Sequence, residues 1–383
     1  MSREELLPVA IVGGGPVGMA LALALHKQDI AAEIFDERER GAGLKDRRTL
    51  ALSHGSRQTL EWLGAWQGID ATPIHRVHIS HCNHAGRTVI RAEDEGVPAL
   101  GHVASLHEIY KALDKAVAKA GIAYHEHTRI SSVHAEAQQA SFIAGSAPGM
   151  AKLVAYAEGA IDTNKMDPEE INTHDYGQHA VTAIVTSNDA PANAAWERFT
   201  PHGPIALLPF GQAFAVVQSC SPEDVARLTA MSAAEYLAQL QSHFADRMHF
   251  VGAGPRYTFP LGLRYRRSAI DARQVWLGNA AQTLHPVAGQ GFNLALRDAR
   301  ALTRVIVDAV DPGSADVLAA YAANRRVDRR STIGFTDMLV RLFSNNNPVA
   351  GHFRGAGLLG LDVLPPVRSF IARRMMFGAR AFF

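Results

Sequence analysis

The sequence predicts an α/β fold in which a Rossmann-like nucleotide-binding domain carries an inserted antiparallel sheet and a C-terminal helical region. Three observations predict it. A glycine-rich turn links an apolar strand to an Ala/Leu-rich helix near residue 13. Strand patterns dominate from 179 to 270. A second glycine-rich turn, at 278–293, opens a long helical pattern. Alternating strands and helices imply a parallel sheet, and a run of strands implies a separate antiparallel layer.

The first element is Pro8-Val9-Ala10-Ile11-Val12, a continuous apolar run expected for a strand buried on both faces. Gly13-Gly14-Gly15-Pro16-Val17-Gly18 follows, then a helix from Met19 to Lys27. Gly13 permits the tight turn, Gly15 lets a pyrophosphate approach the backbone, and Gly18 lets helix and strand pack closely. The next apolar run, Ala31 to Phe35, ends in Asp36, 18 residues past Gly18. There the dinucleotide fingerprint expects an acid for the ribose hydroxyls. Val251-Gly252-Ala253-Gly254-Pro255 imitates this turn, but Tyr257 takes the third glycine position and a strand pattern follows. It predicts a turn before a strand, and so a single nucleotide fold.

The middle of the chain alternates in character. A helical pattern runs through Leu60, Leu63 and Trp66, and strands are expected over 74–92. A helix at 105–120 places Leu106, Ile109, Leu113 and Val117 on one face. Val154 to Gly159 is a strand ending at a glycine, and 160–178 is charged and loop-like. Strands over His179–Thr186, Ile205–Pro209, Ala213–Gln218 and Tyr257–Tyr265 are interrupted by a helix at about 222–244.

In the last block, Gln274-Val275-Trp276-Leu277 leads into Gly278-Asn279-Ala280-Ala281-Gln282-Thr283-Leu284-His285-Pro286-Val287-Ala288-Gly289-Gln290-Gly291-Phe292-Asn293. Gly289 and Gly291 leave the backbone bare where a helix N-terminus opens, so unpaired N–H groups can face a flat, electron-rich ligand. With the fingerprint, this reads as the half-site for a flavin ring.

Composition narrows the class. The 383 residues allow a full core, 47% are apolar and 20% charged, and the net charge of +1 gives no reason to expect nucleic acid. Cys82 and Cys220 form neither a metal spacing nor a disulfide framework, which fits a reducing cytoplasm. The acids in Met1-Ser2-Arg3-Glu4-Glu5 argue against a signal peptide, and no apolar stretch nears the ~20 residues of a membrane span. His75, His78, His81 and His84 are spaced by three. Strand-like neighbours would split them between two faces, so no metal site is expected.

Together these segments resemble the flavin-dependent aromatic hydroxylases with the p-hydroxybenzoate hydroxylase fold. Among them the chain is similar to the ubiquinone-biosynthesis hydroxylases, the UbiH/UbiF/VisC group. Gly278-Asn279-Ala280-Ala281, His285-Pro286 and Ala288 to Asn293 carry the resemblance most specifically. Arg48-Thr49-Leu50-Ala51-Leu52-Ser53 and Glu197 through Pro209 add to it. Two positions depart from the wider pattern: Glu158-Gly159 stands where Asp-Gly is usual, and Gly278-Asn279 where Gly-Asp is usual. Asn279 can still hydrogen-bond a ribityl or ribose hydroxyl, without charge assistance.

The resemblance implies a Rossmann-like FAD-binding domain from 1–73, 103–178 and 268–334. It also implies a substrate domain from 74–102 and 179–267, and a helical region over 335–383. It implies FAD reduced by NAD(P)H, reaction with O2 to a flavin C4a-hydroperoxide, and hydroxylation of a polyprenylated phenol in ubiquinone biosynthesis. FAD would be held by Gly13, Gly15, Pro16, Val17, Gly18, Asp36, Arg48, Glu158, Gly159, Gly278, Asn279, Pro286, Gly289, Gly291, Phe292 and Asn293. Arg48, Pro286, Gly289, Gln290 and Gly291 would face the chemistry. Partners would be the phenol and other ubiquinone-biosynthesis proteins.

Several readings stay open at this level. Arg48 either faces the flavin or is a solvated surface arginine. His285 either activates a phenol or is structural before Pro286. A soluble small aromatic is an alternative substrate, and a non-catalytic flavin-binding scaffold an alternative function. Phe335, Met338, Leu339, Leu342 and Phe343 have helical spacing; Phe370, Ile371, Met375, Met376 and Phe377 are interleaved with Arg368, Arg373, Arg374 and Arg380. That region is either a helical cap or a basic, amphipathic surface for a membrane, peripheral to the inner membrane.

Overall fold

The apolar run at Leu7–Val12 becomes the central strand of a mostly parallel sheet, paired with Ala32–Phe35 on one side and Ala147–Tyr156 on the other. Tyr124–His125 and Gln274–Trp276 extend the parallel order at either edge. The computed structural model describes residues 6–82, 86–159, 161, 166–189, 191–343, 357 and 359–379. Its helices, in chain order, are α1 (Pro16–His26), α2 (His54–Trp62), α3 (Leu106–Lys119), α4 (Pro222–Ala230), α5 (Ala233–Phe244), α6 (Gly291–Ile306), α7 (Ala315–Phe343) and α8 (Pro365–Phe377).

Val9 and Ile11 point to the face covered by α1, α3 and α6, where Met19, Leu21, Ile109, Leu113, Leu296 and Leu302 complete one core. The expected stripe on α3 is buried through Ile109, Leu113 and Val117, each contributing ~1.5–3 kcal/mol of apolar burial. Ser105 caps that helix by accepting from the Glu108 N–H. Ala10 and Val12 point the other way, against Phe35, Phe142 and Val154, under the hairpin of Ile130–Ala135 and Ala140–Ala144. Coverage on both faces explains the unbroken apolar run of the first strand.

The second sheet has nine strands. Across it lie Gln282–Thr283, Tyr257–Arg266, Ile171–Ser187, Ala213–Cys220, Gly203–Phe210, Ala194–Thr200, Arg76–His81 and Arg87–Arg91, with Phe250–Ala253 beside Ile171–Ser187. It is antiparallel except where Ala194–Thr200 runs parallel to Arg76–His81. One face packs on α4 and α5 through Val181, Leu207, Val216, Tyr236 and Leu240. Thr49–Ser53, Gly101–Ser105 and Ala71–Ile74 form a small third sheet.

The structure differs from two sequence expectations. Residues 171–178 are strand, not loop: they open the seventeen-residue Ile171–Ser187, whose pattern is broken by a register shift between Asp175 and Gln178. The helix expected at 222–244 is two, because Ser232 and Glu235 form a capping box that starts α5 afresh. The helical pattern read from Phe335 is the last part of a longer helix that begins at Ala315. In the imitation segment, Val251 to Ala253 belong to strand Phe250–Ala253, and Gly254 to Arg256 make the link to strand Tyr257–Arg266, so no helix follows it.

Candidate active site

The strand-to-helix turn brings three sequence motifs together. Gly13 has φ +105°, and a Cβ there would meet Glu158 Cα at 2.7 Å, so the turn lies directly against the Glu158-Gly159 segment. At Gly18 a side chain would collide with the Gly13 carbonyl. Gly278, at φ +57°, packs on Val17 and Ala295, joining the third motif to α1 and α6. Pro16 begins α1, where its missing N–H costs nothing. By contrast, a Cβ at Gly15 or Gly291 meets nothing within 4 Å. These two glycines border open space at helix starts that carry no side-chain cap. First-turn N–H groups therefore remain for a ligand. The turn, the bare helix start and the acid at the next strand end fit a dinucleotide such as FAD.

Asp36 is almost buried, and its carboxylate is engaged. It accepts from the Gly14 N–H at 2.8 Å, and the Arg38 guanidinium closes on both oxygens at 3.1 and 3.0 Å. Burial would lift this carboxyl, but the hydrogen bonds from Arg38 and Gly14 outweigh it and hold it below its ordinary value. A ribose reaching Asp36 must share it with Arg38, whose side chain is half-exposed. Asn279 is exposed beside the turn.

A cavity of about 440 Å³ lies where the second sheet meets the 286–293 segment. Its walls are mostly apolar. The sheet gives Ile79, Phe199, Ala206 and Val217; the small sheet gives Ala51 and Leu52; Pro286, Gly289 and Gln290 form another side. Met338, Leu339 and Leu342 of α7 and Ile371, Met375 and Met376 of α8 close it. Met338 and Leu342 are also exposed, so the mouth of the cavity lies along α7.

Asn293 locks this arrangement. Its Oδ1 accepts from the Ser53 N–H at 2.8 Å, and its Nδ2 donates to the carbonyls of Ala51 (2.9 Å) and Gly289 (2.6 Å). The amide holds the 286–291 loop against the small sheet. Gln290 is buried, donating to the Met375 carbonyl at 3.3 Å and facing Arg297. Phe292 packs against the α1–α3–α6 core.

Arg48 is half-exposed, doubly bonded to Asp46 and 5.7 Å over the Phe259 ring, and it is not part of the cavity wall. His285 resolves toward the structural reading. Burial pushes its imidazole down to about 4, and Nδ1 accepts from the Val287 N–H at 3.1 Å. The neutral ring therefore carries its proton on Nε2 and has no lone pair left to act as a base. Among the histidines spaced by three, His78 stacks on Trp196 at 4.1 Å and His81 bonds the Cys82 carbonyl; His84 lies outside the described residues. The described residues contain no group of three or more side chains able to hold a metal ion.

Two features escaped the sequence reading. Glu197 stands in an apolar row of the cavity wall; the inward alternation Ala195-Glu197-Phe199 was the available signal. A buried network also ties α6, α7 and α8 together. Asp328 Oδ2 lies 2.8 Å from both Arg297 and Arg325, Arg325 bonds Asp298 at 2.7 Å, and Asp328 Oδ1 accepts from the Ala379 N–H. On α8, Arg373 bonds Glu95 and Arg374 faces Asp328 and Ser331, so both hold the helix to the body. Arg380 lies outside the described residues.

A parallel-sheet nucleotide turn joined to an apolar cavity beneath an antiparallel sheet defines the class: an FAD-dependent monooxygenase. Residues 7–335 match the FAD binding domain family. The chain is 30% identical to the 3-demethoxyubiquinol 3-hydroxylase of Escherichia coli (strain K12), over 92% of this chain and 94% of that protein. It is 29% identical to the ubiquinone hydroxylase UbiL of Rhodospirillum rubrum, over 98% and 90% of the two chains. The solved structure of p-nitrophenol 4-monooxygenase from Pseudomonas putida DLL-E4 shares the fold, with a TM-score of 0.78 at 17% identity over 98% and 99% of the chains. The chain belongs to the FAD binding domain family and, within it, to the ubiquinone-biosynthesis FAD-dependent hydroxylase group.

Proposed function

We propose that this chain hydroxylates a phenol bearing an isoprenoid tail, a precursor of ubiquinone. The observation that carries the proposal is the cavity: large, predominantly apolar, bordered by the 286–291 loop and open along α7. A phenol head can lie against the loop while its tail runs between α7 and α8. Bound FAD supplies the electron transfer from NAD(P)H and the activation of O2.

The protein's part is positioning and exclusion. Gly13, Gly15, Pro16, Val17 and Gly18 present the α1 N-terminus to the pyrophosphate, and Asp36 takes the ribose hydroxyls with Arg38 beside it. Glu158, Gly159, Gly278 and Asn279 border the path between the two half-sites. Pro286, Gly289, Gln290 and Gly291 set the ring edge, with the α6 N-terminus favouring negative charge there. Arg48, outside the cavity wall, reaches from the same loop region to Phe259 of the second sheet. Residues 1–73, 103–178 and 268–334 form the FAD-binding part, 74–102 and 179–267 the substrate part, and 335–383 the helical closure.

The tailed phenol is nearly insoluble, since each CH2 taken from water is worth ~0.8 kcal/mol. It is drawn from the inner-membrane surface by a peripheral contact of this cytoplasmic protein. No helix among the described residues is long and apolar enough to cross a membrane. Leu359, Val363, Leu364, Val367 and Phe370 are all exposed on the α8 side and supply that contact. The test is quinone-intermediate profiling of a strain lacking this gene. A prenylated phenol one hydroxyl short should accumulate, and an unchanged profile refutes the proposal.

A further inference from the structure

The cavity wall contains a carboxyl with nothing to hold it. On the second sheet, Glu197 lies directly across from Ile79 on one neighbouring strand and Ala206 on the other, and Ala206 lies across from Val217. Residues directly opposite share a face, and all four line the cavity. Among the described residues no hydrogen bond or ion pair reaches the Glu197 carboxyl, and no other ionisable side chain lines the cavity. The groups facing it from the 286–290 loop, α7 and α8 are Pro286, Val287, Gly289, Gln290 and apolar side chains. The amides of Gln290 and Asn293 are already committed to protein partners. A carboxyl left unsatisfied in apolar surroundings is costly, and a ligand hydroxyl relieves that cost.

We infer that Glu197 is a catalytic residue that binds the phenol hydroxyl and takes its proton while the ring is hydroxylated. The inference rests on the proposed phenol substrate. The phenol O–H bond breaks, its proton joins the Glu197 carboxylate, and the electron pair stays on the oxygen and spreads into the ring. The ring carbon takes one oxygen of the O2 that FAD, reduced by NAD(P)H, would activate, and the second oxygen leaves as water; the hydrogen that carbon carried departs as a proton to solvent, and the phenolate recovers a proton from Glu197, leaving the carboxylate as it began. Burial pushes this carboxyl up to about 8, nearer to a phenol than an ordinary glutamate is, which suits a base working near neutrality.

The test uses FAD-loaded protein with 2-geranylphenol and its methyl ether, 2-geranylanisole. Calorimetry should show wild type binding the phenol at least about tenfold tighter than the ether, and Glu197→Ala binding the two alike. Glu197→Gln should lose ~10²–10⁴-fold in hydroxylation at pH 7 while NAD(P)H oxidation continues with peroxide release, and Glu197→Asp should recover part of it. Wild-type hydroxylation should rise with pH toward a plateau, and the Gln variant should lack that limb. Hydroxylation by Glu197→Gln within threefold of wild type, or a phenol preference kept by Glu197→Ala, overturns the inference. If wild type prefers the phenol through Glu197 yet hydroxylates no prenylated phenol, the substrate proposal fails and the binding role of Glu197 stands.

Discussion

Replacing Asp328 with Asn tests the network that joins α6, α7 and α8. The carboxylate is 1% exposed, with Arg297 and Arg325 each at 2.8 Å and Arg374 at 3.9 Å. Around it Arg297, Arg325 and Arg374 face Asp298 and Asp328, so the substitution raises the local charge from +1 to +2. Removing one member of a buried pair leaves uncompensated charge and costs ~3–5 kcal/mol. An unfolding entropy of ~2.1 cal/mol/K per residue gives about 0.8 kcal/mol/K for 383 residues, so Tm should fall by about 4–6 °C. Burial opposes ionisation of Asp328, but Arg297 and Arg325 outweigh it and hold the carboxyl down at about 2. A depressed carboxyl contributes fully above its ordinary value and loses that contribution as pH falls toward 2. The difference between wild type and Asp328→Asn should therefore be constant from pH 5 to 9 and shrink below about 4. Differential scanning fluorimetry across pH reads both. A Tm loss under about 1 °C at pH 7 refutes the reasoning.

Gly15→Val meets no protein atom and should fold normally yet purify without bound FAD, whereas Gly18→Val collides with the Gly13 carbonyl and should fail to fold. A yellow Gly15→Val protein of normal affinity would remove the pyrophosphate from this turn. Gly291→Val also points into open space and should retain FAD while releasing peroxide in place of product; full coupling would move the flavin ring elsewhere. Stability should decline as pH rises from 4.5 through about 8, because folded Glu197 keeps its proton after the unfolded chain has lost it. Glu197→Gln should flatten that decline in pH-resolved melting, and parallel wild-type and variant curves would contradict it. Arg373→Glu with Arg374→Glu should lower Tm by breaking contacts to Glu95 and Asp328, whereas Val367→Ser with Phe370→Ser should spare Tm and weaken liposome flotation. Equal flotation by the serine variant would exclude α8 as the contact surface.

What was legible in the sequence was local. A three-glycine turn, a capped amphipathic helix and period-two strands follow from neighbours a few residues apart, so the Gly13–Gly18 turn, α3 and much of the second sheet could be read directly. The strand at 171–178 was hidden because His174, Asp175 and Gln178 are polar and the register slips between them. Ser232 and Glu235 spelled a helix start, but the apolar spacing on either side ran across it. Contacts across large separations left no sequence signature. Glu95 meets Arg373 across 278 residues, and Asn293 meets Ser53 across 240, so the sequence leaves both the cap and the basic-surface readings of α8 open and does not show what anchors the 286–291 loop. Glu197 opens a block that carries the family resemblance, but only the pairing of the sheet shows which way its row faces.

The cavity is assembled from walls that begin at Ala51 and end at Met376. During synthesis the apolar face of the second sheet therefore emerges well before the helices that close it. α8 docks on α2 at Gly55, where even a methyl group would meet the Met376 carbonyl at 2.8 Å. Closure thus depends on one of the longest sequence separations in the molecule and falls late in folding. Until then the nascent chain exposes a surface that a chaperone or a membrane would hold as readily as its own helix does. The order of translation thereby gives this protein an interval in which its substrate site is a sticky open groove, and a slow step at α8 would lengthen it.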